Sequence, residues 1–117
     1  MSKQKIFFRA DASASIGYGH FVRTLALADM LKVDFDCTFF TSCPTEYMIQ
    51  EMEKVCSFVA LNEEDKLVDF LSMLHGDETV VLDNYFYTPE YQQKIKNTGC
   101  RLVCIDDMHD RHYYADI

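Results

Sequence analysis

The sequence is poor in basic residues, in proline and in glycine, and it has no long apolar run. Eleven Lys and Arg oppose nineteen Asp and Glu, and the formal charge of −8 disfavours duplex nucleic acid as a partner. No apolar segment approaches the length of a membrane span, and the first residues lack a signal-peptide pattern. Two prolines and four glycines leave no low-complexity linker or repeat, so the 117 residues are expected to form one domain.

The five cysteines also lack the spacing of a disulfide framework or a zinc site. Their number is odd, and no two of them form a Cys-x-x-Cys pair. Most lie in apolar runs, where a thiol behaves as a small hydrophobic group. We therefore expect reduced thiols and a cytoplasmic protein. The cysteines are Cys37, Cys43, Cys56, Cys100 and Cys104.

What the sequence does contain is an alternation of five strand-like runs with four helical patterns. The predicted strands are Ile6–Phe8, Cys37–Thr41, Phe58–Leu61, Thr79–Asp83 and Arg101–Asp106. The predicted helices run from His20 to about Lys32, from Pro44 through Lys54, from an N-cap at Asn62 to Gly76, and from an N-cap at Thr88 to Gly99. Such alternation predicts an α/β fold, a Rossmann-like parallel sheet with helices on both faces.

In the strand order 3-2-1-4-5, a crevice opens between strands 1 and 4 at their carboxyl ends. Polar residues follow the strands that end there, so they are expected to converge on one rim. Strand 1 leads to Asp11 and His20, strand 4 ends at Asp83 with Tyr85 close behind, and strand 5 ends at Asp106.

The loop after strand 1 contains Ile-Gly-Tyr-Gly-His at 16–20, directly before the first helix. Gly17 and Gly19 permit a positive φ and a close approach of ligand to backbone. The third glycine of the dinucleotide fingerprint is missing, and a histidine stands where that motif would begin its helix. The pattern therefore indicates a catalytic loop and not an NAD site.

Three blocks of sequence give a resemblance to a known family. They are Arg-Ala-Asp-Ala-Ser at 9–13 with Ile-Gly-Tyr-Gly-His at 16–20, then Val-Leu-Asp-Asn-Tyr at 81–85, then Ile-Asp-Asp-Met at 105–108 with Asp-Arg at 110–111. Together they resemble the N-terminal domain of the PseG/SpsG-like family, nucleotide-sugar hydrolases of the pseudaminic acid pathway. That family is similar to the two-domain GT-B glycosyltransferases related to MurG, with water in place of the sugar acceptor.

The resemblance implies that residues 1–117 are the N-terminal half of a GT-B architecture and part of a longer two-domain protein. It implies a UDP-sugar hydrolase of surface polysaccharide or nonulosonic acid biosynthesis, needing no cofactor and inactive without its C-terminal nucleotide-binding domain. Two alternatives stay open: a GT-B glycosyltransferase that uses a sugar acceptor, and a non-catalytic domain whose acidic rim recruits a partner.

His20 and Asp11 are the candidate catalytic residues. The positive end of a helix keeps a histidine neutral, which suits a general base, and Asp11 could orient the ring or the water. The candidate substrate-binding residues are Gly17, Tyr18, Gly19, Arg23, Asp83, Tyr85 and Asp106. Several of these residues have a structural alternative. His20 could be a helix cap or a surface residue, and Asp11 could cap the loop. Arg23 could pair with an acid, Asp83 and Asp106 could cap turns, and Tyr85 could belong to a core or a domain interface.

The acidic, histidine-containing tail does not predict a metal site. Its spacing, with Asp106 and Asp107 followed by His109, Asp110 and His112, matches no standard set of ligands. A solvated tail explains it, so we expect no metal.

Overall fold

The computed structural model describes residues 3–11, 18–62, 64–83 and 88–105. Five strands alternate with four helices along the chain, as the sequence predicts. The elements are β1 (Lys5–Arg9), α1 (Gly19–Leu31), β2 (Asp36–Ser42), α2 (Glu46–Glu53), β3 (Ser57–Leu61), α3 (Lys66–Ser72), β4 (Thr79–Asp83), α4 (Pro89–Asn97) and β5 (Arg101–Ile105).

The five strands form one parallel sheet in the order β3-β2-β1-β4-β5, the order for which the crevice between strands 1 and 4 is expected. β1 lies at the centre and pairs with β2 on one side and β4 on the other. Such a sheet reverses its direction of winding between β1 and β4, and a ligand crevice forms at the carboxyl ends of those strands. The fold is thus α/β and Rossmann-like.

Two apolar cores lie against the sheet, one on each face, because successive side chains of a strand point in opposite directions. On β1, Phe8 belongs to the core that includes Phe21 and Leu25 of α1, whereas Phe7 packs against the core that includes Phe70 of α3. The first core also receives α2 through its two buried methionines, and the second receives α4. The helices therefore cover both faces.

Threonine caps begin two of the helices. Thr88 accepts a hydrogen bond from the Tyr91 amide at 3.2 Å, and Pro89 follows at the first helical position, as predicted. Thr45 caps α2 in the same way through the Met48 amide. The prediction that α2 begins at Pro44 is wrong by two residues, because Thr45 is the N-cap and the helix begins at Glu46.

The predicted third helix is too long at both ends. The Asn62 side chain accepts a hydrogen bond from the Glu64 amide two residues on, which forms a turn and not a helix cap. α3 begins only at Lys66, after the N-cap Asp65, and it ends at Ser72, before Gly76. The Asn62 side chain therefore stabilises a turn in place of the predicted first turn of the helix.

At the amino end of the sheet, Glu78 joins two connections between helix and strand. Its buried carboxylate accepts hydrogen bonds from the amides of His75 and Gly76 at 2.9 and 3.0 Å, and from the Cys100 thiol at 3.3 Å. Gly76 has a φ of +105°, and a Cβ added there would lie 2.6 Å from the Thr98 carbonyl oxygen. Only glycine fits that position without displacing the backbone.

All five cysteines lie in the part of the chain that the structure describes, and each is a free thiol. Burial raises the pKa of Cys56 to about 11. Among the described residues, no helix has the length and apolar character that crossing a membrane requires.

Candidate active site

His20 meets a buried carboxylate at the carboxyl end of the sheet. It is the second residue of α1, and its Nδ1 lies 2.5 Å from Oδ1 of Asp83, the last residue of β4. The Asp83 side chain is 1 % exposed, and that of His20 is 17 % exposed. The contact therefore lies where β1 and β4 diverge, at the predicted crevice.

The short distance fixes which ring nitrogen carries the proton. A carboxylate can only accept a hydrogen bond, so a nitrogen 2.5 Å from Oδ1 must donate to it. Arg23 Nη2 also lies 3.1 Å from His20 Nδ1, but it lies 3.4 Å from Asp83 Oδ1 and can direct its proton to that oxygen. In the neutral ring the proton is then on Nδ1, and Nε2 is left with a lone pair.

Two further donors of α1 hold the same carboxylate. Arg23 Nε lies 3.3 Å and Thr24 Oγ1 lies 3.1 Å from Asp83 Oδ2. Arg23 lies three residues after His20, and Thr24 lies four residues after His20. This spacing places all three on the side of the helix that faces β4. Asp83 is thus shared by an imidazole, a guanidinium and a hydroxyl.

The amino end of α1 lies beside this carboxylate. Tyr18 is the N-cap residue but makes no side-chain capping bond, and the first turn of the helix has no acidic residue. Gly19 is the first helical residue and does not have a positive φ, so the conformational freedom that the sequence permits at this glycine is not used. A Cβ there would meet nothing within 4 Å, so space around Gly19 is open.

Tyr18 is a partly exposed aromatic residue at the entrance of α1. Its ring lies 5.8 Å from the ring of Tyr47 at 87°, an edge-to-face arrangement. Both residues are exposed, Tyr18 to 38 % and Tyr47 to 50 %.

Asp11 is bound in a second polar cluster at the same edge of the sheet. It accepts two hydrogen bonds from the buried Arg9 guanidinium, at 2.5 and 3.1 Å. The Ser42 amide at 2.9 Å and the Thr41 hydroxyl at 3.3 Å bind its Oδ1, and Lys66 Nζ lies 3.4 Å from its Oδ2. This set of donors joins the ends of β1 and β2 to the start of α3.

The donors around Asp11 outweigh its desolvation. Burial alone would raise the pKa of this carboxyl, but Arg9, the Ser42 amide and Lys66 together hold it below its ordinary value. Asp11 is therefore an ionised carboxylate with most of its acceptor positions in use.

Several candidate residues lie outside the described part of the chain. They are Gly17, Tyr85 and Asp106, together with the remainder of the acidic tail. Within the described residues, no three His, Cys, Asp or Glu side chains are grouped so as to hold a metal ion.

Sequence reasoning named no role for Thr24, Arg9 or Lys66. Thr24 is a polar residue buried in the apolar face of α1, and Arg9 is a charge at the end of a buried strand. Both are departures from the apolar pattern that could have identified them. Lys66 has no such local signal, because its partner Asp11 is 55 residues away.

Comparison with known proteins agrees with the resemblance found in the three blocks of sequence. No protein-family model matches the chain. A curated protein of Campylobacter jejuni, UDP-2,4-diacetamido-2,4,6-trideoxy-beta-L-altropyranose hydrolase, is 27 % identical to it over 116 residues. The alignment covers 93 % of this chain and 39 % of that protein, so the chain spans well under half of the relative's length. The predicted resemblance to this family of hydrolases is confirmed.

Proposed function

We propose that this chain supplies the general base of a UDP-sugar hydrolase that cleaves the bond between the anomeric carbon and the diphosphate oxygen. The observation that carries the proposal is the contact between His20 Nδ1 and the buried Asp83 carboxylate at the carboxyl edge of the sheet. In the neutral form of a ring held in this way the lone pair is on Nε2, the atom that accepts a proton in the proposed reaction. The similarity to a UDP-sugar hydrolase supports the choice of substrate.

In the proposed reaction, a water molecule attacks the anomeric carbon while the bond to the leaving diphosphate oxygen breaks. The electron pair of that bond leaves with UDP, and the proton of the water passes to His20 Nε2. Arg23 is 36 % exposed and holds Asp83 at 3.3 and 3.4 Å, so its guanidinium can also meet an anionic group in the crevice. The backbone amides at the start of α1 are donors that suit the negative charge developing on the leaving diphosphate.

The two aspartates receive different roles in this proposal. Asp83, first predicted to bind substrate, orients His20 through Nδ1. Asp11, first predicted to act on the ring or the water, has its acceptor positions taken by Arg9, Thr41, Ser42 and Lys66. We assign Asp11 to support of the edge of the sheet.

We further propose that the chain acts together with a second, nucleotide-binding domain, in the cytoplasmic synthesis of a surface polysaccharide or a nonulosonic acid such as pseudaminic acid. Residues 1–117 alone are then expected to fold, to show no measurable hydrolysis of UDP-sugars, and to bind UDP no more tightly than about 1 mM, roughly −4 kcal/mol. Calorimetry with UDP and a turnover assay test this. Micromolar affinity or turnover by these residues alone would contradict the two-domain proposal.

The decisive experiment is turnover of UDP-sugars by the complete protein in ¹⁸O-labelled water. Attack at the anomeric carbon places the label in the released sugar, whereas attack at phosphorus places it in UDP. Release of UDP that requires an added sugar acceptor would indicate a glycosyltransferase instead. A non-catalytic docking domain would release no UDP, and its biological activity would survive the loss of His20.

A further inference from the structure

Thr24 uses its one hydroxyl proton on the carboxylate that orients His20. It lies on α1 one turn after His20, and its side chain is completely buried. Its Oγ1 donates to Asp83 Oδ2 at 3.1 Å. A buried helical threonine commonly donates to the carbonyl four residues earlier, which here is the carbonyl of His20. The Thr24 hydroxyl instead donates to Asp83 on β4, so it links the helix to the strand.

The two oxygens of Asp83 face different partners. Oδ1 meets the imidazole at 2.5 Å, and Oδ2 meets Thr24 at 3.1 Å and Arg23 Nε at 3.3 Å. The terminal torsion of an aspartate is broad, so the side chain itself does not fix the plane of the carboxylate. A fixed donor on Oδ2 sets that plane, and the position of Oδ1 follows from it.

Thr24 is better suited than Arg23 to set the plane. The Arg23 side chain is 36 % exposed, so water and an anionic ligand both compete for its donors. Thr24 is closed off from water, and its β-branched side chain has few rotamers in a helix. Its contact with Oδ2 is therefore maintained when Arg23 exchanges partners.

We propose that Thr24 is a positioning residue that fixes the Asp83 carboxylate and thereby the protonated Nδ1 and unprotonated Nε2 of His20. The catalytic consequence depends on the proposed function, since Nε2 must accept the proton of the attacking water. The structural consequence does not depend on it, because the tautomer of a ring can be measured without any substrate.

The test compares Thr24→Val, which keeps the shape and removes the donor, with Thr24→Ser, which keeps the donor and removes the methyl group. Thr24→Ala removes the donor without adding apolar volume and serves if the valine variant does not fold. Thr41→Val is the matched control, because Thr41 is a buried threonine whose hydroxyl donates to the other carboxylate, Asp11. Thermal unfolding of every variant measures how much stability is lost with a buried hydrogen bond from threonine to aspartate.

Nitrogen-15 NMR of the neutral His20 ring gives the tautomer. We expect protonated Nδ1 in the wild type, in Thr24→Ser and in Thr41→Val, and a ring protonated mostly on Nε2 in Thr24→Val and Thr24→Ala. In the complete protein, the valine and alanine variants should lose roughly 10- to 100-fold in kcat, the worth of one hydrogen bond to a charged group, with KM little changed. Serine should restore kcat to within about twofold.

Two results would overturn the proposal. One is a wild-type ring protonated on Nε2, and the other is a valine and an alanine variant that both keep the wild-type tautomer. A protein that hydrolyses no UDP-sugar but shows the expected change of tautomer would instead contradict the proposed reaction and leave the role of Thr24 standing.

Discussion

Replacing Asp83 with asparagine should disable His20 while leaving the shape of the site intact. The amide offers one acceptor oxygen and one NH₂ group where the carboxylate offers two acceptor oxygens. Arg23 can only donate, and Thr24 donates to the same side of Asp83. The amide oxygen therefore turns toward Arg23 and Thr24, and the NH₂ group turns toward His20.

An NH₂ group facing Nδ1 stabilises the wrong tautomer of His20. Nδ1 must then accept a hydrogen bond, so the proton moves to Nε2 and the lone pair needed by the attacking water is lost. Restoring the productive tautomer means turning the amide against Arg23 and Thr24. This costs about one hydrogen bond to the charged Arg23 and one neutral hydrogen bond to Thr24, together roughly 2–4.5 kcal/mol, which is roughly 30- to 2,000-fold in kcat.

The assay measures release of UDP by the complete protein over a range of substrate concentrations. kcat should fall by the amount given above while KM stays within about threefold, since the change acts through proton transfer and not through binding. Asp34→Asn is the matched control, because Asp34 is an exposed aspartate in the turn after α1. Circular dichroism of both variants checks that the fold is retained.

A double variant sharpens the test. If Asp83 acts only through His20, the combination of Asp83→Asn with His20→Gln should be no slower than His20→Gln alone. Additive losses, or an Asp83→Asn variant within about threefold of wild-type turnover, would refute the reasoning that links the two residues.

Three further predictions concern the base, the metal and the stability of the fold. His20→Gln should lower kcat by roughly 10²–10⁴-fold with little effect on substrate affinity, measured in the same assay; near-normal turnover would exclude the role of base. Turnover should survive exhaustive treatment with EDTA, and loss restored by one divalent ion would contradict that expectation. Glu78→Gln should lower the free energy of unfolding by about 1–3 kcal/mol in urea titrations, since one amide oxygen replaces two acceptors for three donors. Burial opposes ionisation of Glu78, but the Cys100 thiol and the His75 and Gly76 amides outweigh it and lower its pKa. The contribution of Glu78 to the free energy of unfolding is therefore complete above its ordinary pKa of about 4.3 and is lost as the pH falls through the lowered pKa. The stability of Glu78→Gln should depend less on pH in that range than the stability of the wild type. Equal dependence on pH would count against this role.

Much of the fold could be predicted from local sequence, and the failures have local causes. The five apolar runs predict the strands, because strands of a parallel sheet are buried on both faces. Thr88 with Pro89 predicts the start of α4, since cap and first helical residue agree. Asn62 misled the prediction because the same side chain serves a helix cap and a turn. Pro44 misled it because a threonine cap followed directly.

The candidate site was predicted in its location but not in its connections. The order of the strands placed His20 and Asp83 at one crevice. Their contact joins residues 63 positions apart, and no spacing in the sequence indicates it. Asp11 lies closer to His20 in the sequence, so local reasoning favoured it. The three-dimensional arrangement gives Asp11 to Arg9 instead, because both belong to the cluster that joins β1, β2 and α3.

The division of the interior by the sheet has a consequence for laboratory evolution of this protein. The core that includes Phe21 and Leu25 packs against α1, the helix that carries His20. A substitution at either residue therefore changes the packing and the position of the catalytic histidine together. The opposite core, with Phe70 and Ile95, lies behind the sheet and away from Asp83. A library restricted to that second core can therefore accumulate stabilising substitutions without changing the site. The stability gained there can offset the cost of later substitutions near α1 that change substrate preference.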